Sequence, residues 1–380
     1  MAAEKSQFRL ADYDVVLLLM VVALTSFGIV MVYSASSVMA AKNFHDGAFF
    51  LKRQGIFALI GFTVAAVAMR TDYHFWRKWS VPLLLASLVL LVLVLIPGIG
   101  GKAKGASRWI RLPGFNLQPS EFTKIALIFY LAYSIDKKQD RIRSLSAGFL
   151  PYMVVLIILL GLLLKQPDMG AALTLAAVTI LMLFAAGTRL VFILGSGMVA
   201  MPFVVYLIYN SAYRLKRIKA FMNPEQDPTG IGWQIIQSKY AFGAGGFFGQ
   251  GLGEGKQKLF YLPEAHTDFI LSVVGEELGF IGVVIIIGMF FVLIQRAMRI
   301  AMAAQDTFGR FLALGIAVLF AIEAAVNMGV VTGLLPTKGL ALPFLSYGGS
   351  SLVISLFAVG VLLNISVGLK LAPLTGKEAS

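Results

Sequence analysis

The chain contains no cysteine in its 380 residues. Disulfides, thiolate nucleophiles and sulfur-ligated metals are therefore excluded. Histidine is nearly as scarce, with three at positions 45, 74 and 266, too scattered for a zinc cluster. Any bound metal would have to be a hard ion held by carboxylates and substrate oxygens. Charge is thin as well. Only 13% of residues are charged, about half the share of a soluble globular chain.

What remains is apolar: 58% of residues are hydrophobic, and runs of about 18 or more apolar residues recur, long enough to cross a bilayer as helix. They fall near 15–35, 54–69, 80–98, 119–135, 147–164, 170–187, 190–209, 267–294, 311–333 and 347–369. The first is not followed by a small-residue cleavage site, so it reads as a retained helix. The fold class is thus an all-α polytopic integral membrane protein with about ten transmembrane helices. Residues 1–380 make a single membrane domain, and an even helix count puts both termini on one side. The longest break, 210–266, is rich in Pro, Gly and charge and reads as a large functional loop between helices 7 and 8.

Charge placement leaves the orientation finely balanced. The net charge of +13 points to an anionic partner, either lipid headgroups or an anionic substrate. Lys and Arg divide almost equally between the two faces, 15 of 32 falling on the terminus side, so totals do not decide. The basic cluster KKQDRIR at 137–143 favours cytoplasmic termini and an extracytoplasmic loop.

Several short stretches bear chemistry. In NLQPSEFTKIAL (116–127), Pro119 and Glu121 suit a first helical turn, and Glu121 and Lys124 share a face. They form either a self-neutralising pair or a phosphate site one turn inside the membrane. GASRWIRLPG (105–114) sets Arg108 and Arg111 around a Trp, an interfacial anchor or a substrate contact. In KQPDMGAA (165–172), Lys165 and Asp168 bracket a proline and read first as a local ion pair.

Seven glycines fill the 15 positions 241–255 ahead of Lys256 and Lys258. No strand precedes them, which rejects a dinucleotide fold, but glycines let backbone amides approach a ligand. GLLPTKGLALPFLSYGGSS (333–351) places Lys338 between prolines, then Ser346 and Gly348 at a helix start where oxyanions meet free amides. Glu323 and Asn327 sit four apart within a span, functional or hydrogen-bonded between helices.

The stretch YLPEAHTDFILSVVGEELGF (261–280) crowds Glu264, His266 and Asp268 where the long loop re-enters the membrane. A helix from Thr267 would align Asp268, Ser272, Gly275 and Gly279 on one small, polar face able to border a cavity. Glu277 would then point away and Glu276 would lie near the edge. Cations, glycines and this acidic cluster share one membrane face, which suits an anionic, phosphate-bearing, lipid-linked substrate.

QPSEFTK, KQPDMG, GGFFGQGLGEG, PEAHTDF with GEELG, and PTKGLALPFLSYGGSS also resemble signatures of the SEDS family of polytopic peptidoglycan glycosyltransferases. The resemblance covers about 15–370, and Thr337–Lys338 is similar to its division-type branch. It implies ten transmembrane helices in the bacterial plasma (inner) membrane, at the division septum. The reaction it implies joins lipid II units into glycan strands at the outer face, releasing undecaprenyl diphosphate.

It maps an essential aspartate onto Asp268 and a functional pair onto Glu121 and Lys124. It implies a class B penicillin-binding transpeptidase and other division proteins as partners, with no nucleic acid. A divalent cation, Mg2+ or Mn2+, is also implied, with Asp268 as its ligand. Arg108, Asp168, His266, Lys338, Ser346 and Gly348 complete the expected substrate-binding set. A lipid-linked precursor transporter and a non-catalytic division scaffold are the alternatives.

Overall fold

The structure, a computed structural model, describes residues 12–369 apart from 104–105, 113–114, 227–229, 260, 338 and 368. Lys338 therefore lies outside the described residues. Among the described residues, twelve α-helices form in chain order: α1 Val15–Phe44, α2 Phe49–Arg70, α3 Tyr73–Leu95, α4 Pro119–Lys137, α5 Leu150–Lys165 and α6 Met169–Ala185. The second half adds α7 Leu190–Tyr209, α8 Ala212–Met222, α9 Ile231–Gly245, α10 Ile270–Ala303, α11 Thr307–Val331 and α12 Gly349–Ser366. All ten expected segments lie on helices. Eight helices are long and apolar enough to cross a membrane, while α6 is apolar over 17 residues and α4 carries Glu121, Lys124, Asp136 and Lys137.

Local chemistry sets the helix starts. Asp14 caps α1 by accepting from Leu17 N at 3.0 Å, Asp168 caps α6 through Ala171 N at 3.2 Å, and Asp306 caps α11 through Gly309 N at 2.9 Å. Pro119 opens α4, where its missing amide costs no hydrogen bond.

Small residues set the packing. α12 lies along α2, and a Cβ added at Gly360 would come within 2.4 Å of Ala65 O, so only glycine permits that approach. α11 is the central strut, packed on α4, α6 and α10, with Gly315 against Ile128 and Met182. α7 buries none of its residues.

Two regions depart from the sequence reading. Three strands, β1 Gly100–Ala103, β2 Ala106–Leu112 and β3 Phe115–Leu117, form an antiparallel sheet in that order. The connection 210–266 carries helices of its own among its described residues. It folds into α8, a short 3-10 turn and α9 before the glycine-rich stretch.

Candidate functional site

α10 begins at Ile270, and residues 261–269 form turns, so Asp268 precedes the helix instead of lying in its first turn. Three main-chain latches hold this segment. Tyr347 N donates to His266 O at 2.9 Å, Ser346 Oγ to Thr267 O at 2.6 Å, and Asn327 Nδ2 to Asp268 O at 2.8 Å. Gly339 lies close against this side chain, since a Cβ there would be 3.1 Å from Asp268 Oδ2. The half-buried Asp268 is thus fixed between α11 and the segment leading to α12.

Part of the small face of α10 is covered by α9. Ser272 Oγ shares a 2.7 Å hydrogen bond with Ser238 Oγ of α9, and a Cβ at Gly275 would fall 2.4 Å from Phe242. α9 fills the space because small side chains on α10 let its backbone come close. Glu276 and Glu277 do not face outward either; both are buried.

Their partners are the glycine stretch. α10 breaks at Gly279 (φ 66, ψ −165), a conformation open essentially to glycine alone. The break frees the carbonyls of Glu276 and Glu277, which accept from Gln250 N and Gly251 N at 3.0 Å each. Phe280 N and Ile281 N turn instead to Gly246 O and Phe247 O. The Glu276 carboxylate takes Lys256 N at 2.7 Å, and Glu277 takes Gly253 N at 3.1 Å and Lys258 Nζ at 2.6 Å. The expected ligand cradle is therefore a latch that spends these amides on α10.

Lys124 is buried one turn into α4, 2.8 Å from Glu121 Oε2, and its Nζ also donates to Glu323 Oε1 on α11. One ammonium thus meets two carboxylates and ties α4 to α11. Asp168 does not pair with Lys165; its Oδ2 accepts from Ser120 Oγ at 3.1 Å, joining α6 to α4. Arg108, on β2, donates to the carbonyls of Gln166 and Pro167 and so braces the α5–α6 turn. Ser346, between Thr267 O and Leu342 N (2.8 Å), is likewise committed to protein groups.

Beside the 266–268 turn lies a cleft of 290 Å³ whose lining includes Arg53, Trp109, Arg111, Asn116, His266 and Gly348. Arg53 rests on Phe49 at 4.8 Å. Arg111 passes Gly101, where a Cβ would lie 2.8 Å from its Nε. His266 packs between Phe50 and Tyr347, with ring centroids 4.7 and 5.7 Å away. Behind the cleft, fully buried Gln54 donates to Ser346 O at 3.2 Å and accepts from Gly348 N at 3.4 Å. Two guanidinium groups beside the start of α12 make this cleft attractive to an anion.

The family model for cell cycle proteins of the FtsW, RodA and SpoVE type matches residues 15–371. The chain belongs to the FtsW/RodA/SpoVE family. A probable peptidoglycan glycosyltransferase FtsW of Trichlorobacter lovleyi is 88% identical over 99% of this chain and 98% of its own length. The stage V sporulation protein E of Bacillus subtilis is 47% identical over 93% and 96% of the two chains. Among solved structures, a chain from work on coordination of polymerization and crosslinking by a peptidoglycan synthase complex superposes with TM-score 0.78 at 30% identity, covering 94% of this chain and 98% of that one. Rod shape determining protein RodA of Thermus thermophilus gives 0.69 at 27% identity, with 93% and 96% covered.

Within this family fold, the sequence reading missed Arg53 and Gln54. FLKRQG (50–55) lies at the start of the second apolar segment. The available signal was Gln54, a glutamine inside an apolar run, which has to find partners once buried.

Proposed function

We propose that this chain, a membrane-embedded peptidoglycan glycosyltransferase of cell division, polymerises lipid II at the outer face of the plasma membrane, with Asp268 as the catalytic carboxylate. The observation that carries this reading is the 266–268 turn: His266 and Thr267 line a cleft with Arg53 and Arg111, and the next residue, Asp268, has its carbonyl held by Asn327. The acceptor sugar hydroxyl must lose a proton as it attacks the anomeric carbon, and a positioned carboxylate can take it. The diphosphate of lipid II carries negative charge, which the two arginines meet equally in the bound substrate and in the reacting state. Apolar helices around the site suit the lipid tails.

Lys124 acts through Glu121 and Glu323 to hold the α4 entrance, and it belongs to the proposed substrate-binding set with Arg108, Asp168, His266, Lys338, Ser346 and Gly348. Arg108, Asp168 and Ser346 serve by shaping the surrounding turns, since their described polar contacts are to protein groups. Among the described residues, no three acidic or histidine side chains gather into a metal cage. Asp268 and substrate diphosphate oxygens would suit Mg2+ or Mn2+, a binding mode with few protein carboxylates. When bound, the ion would neutralise diphosphate charge. We place the 210–266 region outside the cell, the termini inside and the protein at the septum. A class B penicillin-binding transpeptidase is the proposed partner, supported by the polymerization and crosslinking coupled in the synthase complex to which the chain is similar.

The transporter alternative drew on buried polar groups in α11. Glu323 is paired with Lys124, and Asn327 donates to two main-chain carbonyls, contacts that suit a structural role between segments. The test is direct. Purified chain with its transpeptidase, given lipid II, should yield glycan polymer; lipid II crossing vesicles without polymer would favour transport.

A further inference from the structure

Asn327 is 2% exposed and lies one turn beyond Glu323 on α11. Both hydrogens of its amide are used, donating to Asp268 O and to Leu340 O at 2.8 Å each. Those carbonyls belong to two segments outside regular structure, 261–269 and 334–347. One carries Asp268. The other carries Gly339, which lies against the Asp268 carboxylate. Asn327 thus forks between the two walls that confine one side chain, while Glu323 of the same helix holds Lys124.

The fork is chemically demanding. Two N–H donors on a short stem are found in asparagine; aspartate presents acceptors to the same carbonyls, and leucine of similar size presents neither. Among the described residues, Asn327 Oδ1 is meanwhile buried with no hydrogen-bond partner. An orphaned acceptor lowers stability. A residue selected for stability alone would avoid it.

From this geometry we infer that Asn327 is a positioning residue for the reaction, setting the Asp268 carboxylate through its main chain. The inference rests on Asp268 being the catalytic carboxylate. Substrate is held by other groups, so loss of the fork misplaces the carboxylate without emptying the cleft. An error of about 1 Å in such a group can cost on the order of a hundredfold in rate.

The experiment compares wild type, Asn327→Leu, Asn327→Asp and Asp268→Asn, each co-purified with the transpeptidase, in lipid II polymerisation at varied lipid II. Folding is followed by thermal unfolding. Both Asn327 variants should stay folded, lose about tenfold or more in kcat and keep KM within about twofold. The inference fails if either folded variant keeps wild-type kcat, if KM rises as much as kcat falls, or if neither variant folds, which would make Asn327 a stability residue. An active Asp268→Asn would instead overturn the underlying assignment, so the two failures are distinguishable.

Discussion

Lys258 and Glu277 form a buried ion pair 2.6 Å long that fastens the glycine-rich stretch into the break of α10. Ser34 of α1 completes the cluster, donating to Glu277 and accepting from Lys258 Nζ at 2.9 Å. Removing one partner leaves the other charge buried and uncompensated, at a cost of about 3–5 kcal/mol. Lys258→Met and Glu277→Leu should therefore each lower the thermal midpoint strongly. The double variant should recover much of the loss, because no lone charge remains. Additive losses would contradict the pair's role.

The same latch depends on backbone shape. A Cβ at Gly279 would lie 2.4 Å from Gly249 N, and one at Gly249 (φ +84) would lie 2.1 Å from Glu277 O. Gly279→Ala and Gly249→Ala should each sharply reduce the yield of monodisperse protein, since the clash is with backbone that cannot swing away. Gly243→Ala, where a Cβ meets open space, should be tolerated.

Arg53 and Arg111 line the cleft without belonging to the helical core. Arg53→Gln and Arg111→Gln should raise KM for lipid II several-fold and leave kcat nearly unchanged, with added salt reducing the difference from wild type. A selective fall in kcat would place these side chains at the reacting atoms instead.

The absence of native cysteine makes topology directly measurable. Single cysteines at Lys219 and Lys377 should differ toward an impermeant thiol reagent applied to intact cells. Position 219 should label and position 377 should not. The reverse pattern would invert the proposed orientation.

Much of the architecture was legible because a membrane helix announces itself within one apolar window. Eight helices stand out that way, and Pro119 marked the start of α4 from local chemistry, whereas the capping roles of Asp14, Asp168 and Asp306 emerged only in the structure. Asp268, Glu121 and Lys124 were legible as charges out of place, reinforced by the family motifs. The partners were not. Lys124 meets Glu323 199 residues away, and Gln54 meets Ser346 292 residues away. No local pattern encodes such pairings. The small face of α10 was ambiguous for a related reason: small residues suit both a cavity and a close neighbour, and only packing shows α9 against Ser272 and Gly275. The glycines likewise permit both a ligand cradle and a backbone latch.

The central claim is that the Asp268 carboxylate performs the chemistry. Its most direct test is lipid II polymerisation by Asp268→Asn, shown to be folded and bound to its transpeptidase, beside wild type and Glu121→Gln. Asn keeps the shape and removes the charge, so polymer formation should fall about a hundredfold or more, the scale of lost proton-transfer catalysis. Glu121→Gln should fall less, since Glu323 still pairs Lys124. Glycan strands made by folded, partner-bound Asp268→Asn at near wild-type rates would contradict the account.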